Sequence, residues 1–204
     1  MIIFVHIPKT GGTSIRNAAA DHFGESRMLY DYGIGSARTS SIVRELIYDG
    51  NNPDALAGWA RAHDIAFLSG HFKLDRYRYV FPDARFVTWV RDPVERVRSL
   101  HAHRTNAHGL KASLDEFSGR RRWRNGITDQ AGEEPAAYAA VGVLERHTES
   151  IECINARLGI DLAVRHDNDG STRSDIADDL HAEIRRRNTL DTTFVDQANA
   201  LLDT

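Results

Sequence analysis

The sequence predicts an α/β fold, a P-loop-like three-layer arrangement with a central, mostly parallel sheet flanked by helices. Three observations predict it. Short, nearly all-apolar runs recur along the chain, as expected of strands buried on both faces. Stretches with helical apolar spacing separate those runs, which calls for crossover connections. Turn chemistry, either paired glycines or an Asp-Pro step, stands where a strand gives way to a helix.

In chain order, Ile2 to Ile7 predicts the first strand. Helical spacing follows through Ile15, Ala18, Ala19 and Phe23, with Gly24 placed to end the helix. Residues 25–38 are rich in turn formers and predict no regular element. Ser41 to Tyr48 predicts a helix, and Asn52 as cap with Pro53 in the first position predicts another as far as His63. The run "IAFLSGHF" predicts a second strand ending at Ser69 and Gly70, and Ala84 to Val90 a third. Asp92 then caps a helix, with Pro93 at its first position and Glu95 at capping-box spacing; Ser113 and Glu116 repeat the box. Tyr138 to Glu145 predicts a fourth strand. Helices over Thr148–Leu158, Ser174–Arg187 and Asp191–Leu202 complete the expectation.

The 204 residues suffice for one domain, 1–204, with a full core and no visible linker or repeat. A net charge of −3 argues against bulk electrostatic binding, so no nucleic-acid partner is expected. No run approaches the roughly 18 apolar residues of a membrane span. The start "MIIFVHIP" has no basic leader or cleavage site, and the expected location is cytoplasmic. Cys153 is the only cysteine, which excludes an internal disulfide and suits a reducing compartment. Its place in the helical spacing of "TESIECINARLG" predicts packing rather than nucleophilic chemistry.

Two junctions carry the functional argument. Pro8 to Ser14, "PKTGGTS", joins a buried strand to a helix N-terminus, where unpaired N–H groups and the helix dipole favour an anion. Gly11 and Gly12 let the main chain approach that anion, Thr13 and Ser14 add hydroxyls, and Lys9 adds a mobile charge. A tight turn with a solvated lysine is the structural alternative. The Walker loop would place its lysine after the glycines and is absent. At the second junction, "WVRDP", Arg91 can bind a phosphate with two donors, or simply pair with Asp92 or Glu95. Ligands of open α/β sheets bind at the carboxyl ends of strands, where both junctions lie.

Together these segments resemble the sulfotransferases that use 3′-phosphoadenosine 5′-phosphosulfate (PAPS). They are most similar to the carbohydrate group related to the heparan-sulfate 2-O-sulfotransferases. "FVHIPKTGGTSI" and "RFVTWVRDPVERVRSLHAH" carry the resemblance, and "SGHF", "NGITDQAG" and "YAAVGVLERHTESI" extend it over most of the chain outside 25–60 and beyond 160. The resemblance implies that Lys9, Thr10, Gly11, Gly12, Thr13 and Ser14 hold the 5′-phosphosulfate. It also implies that Arg91 and Ser99 hold the 3′-phosphate, with the bisphosphate PAP left as product. Arg173 is a further candidate for that phosphate.

Sulfuryl transfer to an alcohol needs an aligned donor, a base for the acceptor proton and charge stabilisation on the leaving oxygen. Lys9 is placed for the last role. His71, after the second strand, suits the base, and the resemblance points to the same "GH" segment, although other branches of the family use a Glu. His6 reads as structural. His101, His103 and His108 are scattered, and no His, Cys, Asp and Glu set has zinc spacing, so no metal is expected. The basic run Arg120 to Arg124 reads either as a patch for an anionic acceptor or as a solvated face balanced by Glu133 and Glu134. The acceptor implied is a glycan or small molecule with a free hydroxyl. Two competing functions stay open: a nucleotide phosphotransferase using Mg²⁺ and a triphosphate, and a nucleotide-binding module without turnover.

Overall fold

The computed structural model describes residues 1–165, 167 and 175–203. Arg173, and Ser174 at the start of one expected helix, lie outside these residues. The chain first forms β1 (Ile2–Val5), α1 (Gly12–Phe23), β2 (Met28–Asp31), α2 (Ser41–Val43) and α3 (Pro53–Ala62). Next come β3 (Phe67–Gly70), α4 (Asp75–Arg78), β4 (Arg85–Val90), α5 (Pro93–His108), α6 (Leu114–Gly119) and α7 (Gly126–Ala131). β5 (Ala140–Val143), α8 (His147–Leu158), α9 (Asp178–Arg187) and α10 (Thr189–Leu202) complete it.

The sheet has five strands in the order β2-β3-β1-β4-β5, and every pairing is parallel. β1 lies at the centre, with Val5 opposite Gly70 on one side and Thr88 on the other. Strand alternation divides its side chains between two layers. Ile3, Val5 and Ile7 join Val43, Leu56 and Phe194 under α2, α3 and α10, whereas Ile2 and Phe4 meet Ile15, Ala19, Ile151 and Ile154 under α1 and α8. Outside the sheet, Val94, Val97, Phe117 and Ile184 pack α5, α6 and α9 into a third cluster.

The structure departs from the sequence expectations at several places, among them α4 and α7, which the sequence does not predict, and α9, which begins at Asp178. β2 occupies the 25–38 stretch that predicted no element. It is four residues long and sits at the sheet edge, so its evidence is its pairing with β3 rather than its own pattern. The helix beginning at Ser41 widens after Val43 into a π-helical turn, Arg44–Asp49. The last strand is shorter than Tyr138 to Glu145, because Leu144–Arg146 already turns as a 3₁₀ helix. At α5, Asp92 accepts from the N–H groups of Val94 and Glu95, as a cap should. The reciprocal arm of the box is not made: Glu145 takes the Asp92 N–H, and Glu95 turns to Arg91 and Arg98. The second box, Ser113 with Glu116, is complete. Among the described residues no helix is long and apolar enough to cross a membrane.

β2 is fastened by a buried carboxylate. Asp31 accepts from Tyr48 at 2.6 Å and Tyr77 at 2.8 Å and pairs with Arg76 at 2.9 Å. Its carbonyl faces the end of β3, where a Cβ on Gly70 would stand 1.8 Å from the Asp31 oxygen. Gly70→Ala therefore has to move main chain, and we expect a loss of about 3 kcal/mol in urea unfolding. An unchanged midpoint would show that β2 can withdraw without cost.

Candidate active site

β1, β3 and β4 end side by side, and the residues that follow them surround one cleft of about 990 Å³. It is lined by Lys9, Gly11, Gly12, Thr13 and Ser14 after β1, His71 after β3, and Arg91 and Ser99 after β4. The residues of the two junctions, apart from Thr10, thus meet His71 at one sheet edge.

The loop after β1 is folded from within. Thr10 is fully buried, and its hydroxyl donates to the Ile7 carbonyl at 2.8 Å, so only its main chain faces the anion position. Lys9 and Gly11 have left-handed backbones, φ 71° and 87°. The glycines also answer packing: a Cβ on Gly11 would stand 2.6 Å from Leu144, and one on Gly12 would stand 2.4 Å from the His6 ring. α1 then begins with no side-chain cap and no acidic residue in its first turn. Its positive end is therefore left for an anion. Ser14 exchanges hydrogen bonds with the main chain of Asp167, and Asn17 donates to the Asp167 carboxylate at 3.1 Å.

Lys9 and Arg91 line the same cleft. Burial, and then the Arg91 guanidinium, hold the Lys9 ammonium below the usual lysine range. Lys9 has no carboxylate partner among the described residues. Arg91 contacts Glu95 at 3.5 Å and Glu145 at 3.9 Å, and its buried Nε makes no hydrogen bond. Burial raises the Glu145 carboxyl above its ordinary range, against the pull of the Asp92 N–H and Arg91. These long contacts leave Arg91 able to turn to a better acceptor.

His71 is held at both ends. Its N–H bonds the Asp31 carbonyl at 2.9 Å, and its ring Nδ1 lies 2.6 Å from the His6 carbonyl oxygen. A carbonyl can only accept, so Nδ1 carries the proton and Nε2 keeps its lone pair. The protein behind the ring lowers its pKa from the ordinary 6.5, outweighing the His6 carbonyl bond, and Arg16 adds to the depression. The imidazole is neutral at pH 7.

No family model matches the chain, and no curated protein matches it. Among solved structures, the sulfotransferase from Alicyclobacillus acidocaldarius superposes with a TM-score of 0.56 at 17% identity, over 98% of this chain and 95% of that one. The chain has a sulfotransferase fold. Mouse sulfotransferase SULT7A1, crystallised in complex with PAP, gives a TM-score of 0.49 at 15% identity, over 94% of this chain and 64% of that longer one.

On this sulfotransferase fold several groups that the sequence did not single out support or line the cleft. Arg96 is buried under the phosphate-loop candidate and donates to the Pro8 carbonyl at 3.2 Å. Its guanidinium lies so close to Gly126 that a Cβ there would stand 2.5 Å away. Asp191, also buried, accepts from the N–H groups of Ile127 and Thr128 and supports Arg96 electrostatically. His101 and His103, read as scattered, line the cleft as well. Burial lowers the His103 pKa, and Lys9 adds to it. The Arg120–Arg124 run does not line the cleft. Arg122 lies over the Trp123 ring at 4.6 Å, and Glu133, its expected counter-charge, pairs instead with Arg78. Cys153 is half-buried on α8. Among the described residues no three of His, Cys, Asp and Glu converge as metal ligands.

His6 gives a stability prediction. Burial above all, and then the charges of His71, Arg16 and Arg38, put its pKa well below 6.5, so it stays neutral when folded. The unfolded chain binds that proton more readily below pH 6.5, so stability falls as pH drops through this window. The slope from this one site is at most about 1.4 kcal/mol per pH unit. Urea unfolding from pH 7.5 to 5.5 should show that loss in wild type and a shallower one in His6→Gln. Equal slopes would contradict the assignment.

Proposed function

We propose that the protein is a PAPS-dependent sulfotransferase, a single transferase domain that moves a sulfuryl group to an acceptor hydroxyl, on a carbohydrate by preference. The observation that carries this reading is the meeting of Lys9 and Arg91 in one cleft, from neighbouring strand ends, beside an uncapped helix start and a neutral imidazole. Two separated cationic positions fit a donor with phosphate at both its 5′ and its 3′ side. PAPS supplies the activated sulfuryl group.

In this reading the Thr10 to Ser14 loop holds the 5′-phosphate, and Arg91 with Ser99 holds the 3′-phosphate. His71 Nε2 takes the acceptor proton as the new O–S bond forms. Lys9 stabilises the negative charge left on the phosphate oxygen as the old O–S bond breaks, and PAP departs. The lowered pKa of His71 extends the working range toward lower pH. The carbohydrate acceptor rests on the sequence resemblance to the 2-O-sulfotransferase group.

The test is PAP release from PAPS in the presence of sugars, polyols and small alcohols. Lys9→Ala and His71→Ala should each lower kcat by about 100-fold or more. Arg91→Ala should weaken PAP binding about 10- to 100-fold, as loss of a charge-assisted contact does. Tighter calorimetric binding of ATP–Mg²⁺ than of PAP would overturn the proposal in favour of phosphoryl transfer. Tight PAP binding with no turnover across the panel would favour a binding module.

A further inference from the structure

The edge strand β2 delivers one residue whose contacts converge on His71. Tyr32 follows the last residue of β2, and its main chain is fixed by Thr39, whose hydroxyl accepts from the Tyr32 N–H at 3.0 Å and donates to the Gly33 carbonyl at 2.7 Å. Its phenol oxygen lies 3.0 Å from His6 Nδ1 and 3.0 Å from the hydroxyl of Ser69, which is fully buried. One hydroxyl thereby links the ends of β1, β2 and β3. Its ring stands edge-to-face against His71, with centroids 4.7 Å apart at 83°, and also edge-to-face against His6 at 5.7 Å. The His6 and His71 rings are themselves 4.7 Å apart.

We propose that Tyr32 is the positioning residue of His71, setting the orientation of its ring so that Nδ1 stays on the His6 carbonyl and Nε2 stays toward the cleft. The inference rests on the reading of His71 as base for its catalytic meaning, but not for its structural content. The physical argument concerns rotation. A single bond at Nδ1 leaves the imidazole free to swing about its Cβ–Cγ axis once that bond opens. Two aromatic rings packed against it, one pinned by two hydrogen bonds, remove that freedom before any acceptor arrives. His6, Tyr32 and Ser69 all sit at strand ends, so their spacing is set by the sheet rather than by loop geometry. The titratable and charged groups around His71 are His6 after β1, Tyr32 and Arg38 after β2, and Arg16 on α1.

The experiment compares wild type with Tyr32→Phe, which keeps the ring and removes the pin, and Tyr32→Leu, which removes both. Nitrogen-15 imidazole spectra, with His71 assigned by its loss in His71→Gln, report the tautomer and the pKa directly. PAP calorimetry reports whether the fold and the nucleotide site survive. We expect wild type to show the Nδ1–H tautomer and a pKa below 6.5, Tyr32→Leu to show mixed tautomers and a pKa moved back toward 6.5, and Tyr32→Phe to fall between. With PAP affinity unchanged, kcat should drop by about 10-fold in Tyr32→Leu and the acid limb of its pH profile should move upward. A shift of tautomer or pKa in either variant that still binds PAP supports the proposal. The wild-type tautomer and pKa in every variant that still binds PAP overturn it. Should His71→Gln turn over normally, the base assignment fails while the spectra still decide whether Tyr32 positions the ring.

Discussion

The cleft depends on the pairing of Val5 with Gly70 on one flank and Thr88 on the other. The register is locked by a buried side chain, since the Thr88 hydroxyl donates to the Val5 carbonyl at 2.8 Å. It continues past the strand, where the His6 N–H bonds the Gly70 carbonyl at 2.9 Å. A parallel sheet has all its carboxyl ends on one edge, so three chain segments far apart in sequence emerge within reach of one another. Lys9, His71 and Arg91 need no long loop to meet. Shifting β3 by one residue would turn every side chain of the strand to the opposite face and carry His71 away from the His6 carbonyl.

Electrostatics then give the cleft its preference. A half-buried ammonium, a guanidinium with distant carboxylate partners and the uncapped start of a helix line one cleft. In the protein alone these groups repel, which adds to the burial that chiefly depresses the lysine pKa. An anion removes the repulsion at both sites at once. Arg96 works differently, because it is buried beneath the loop and bonds main chain. It braces the loop main chain and does not line the cleft.

What the sequence revealed follows from how local each signal is. β1, β3, β4 and β5 are legible because strands buried on both faces are largely apolar, and the exits of β1, β3 and β4 carry Gly or Asp-Pro. β2 is not, since "MLYD" has four residues and its stability comes from Asp31 reaching Tyr48, Tyr77 and Arg76. The loops around Lys9 and Arg91 could be placed together because each is a contiguous run at the carboxyl end of a legible strand. Tyr32, Glu145 and Arg96 could not be read this way, because each acts on a partner brought near only by folding. Arg96 and Pro8 are separated by 88 positions. Thr10 shows the reverse limit: a hydroxyl in the right motif turns inward and bonds Ile7.

The backbone at Lys9 carries a different message. Its φ of 71° lies where residues with a side chain are disfavoured, at a cost on the order of 1 kcal/mol. Glycine would relieve that strain, and asparagine would tolerate it better. A chain shaped by folding stability alone would have one of these at the position. Lysine there sits against the grain of its own main chain, and an ammonium at the cleft is what the position has in place of a relaxed turn.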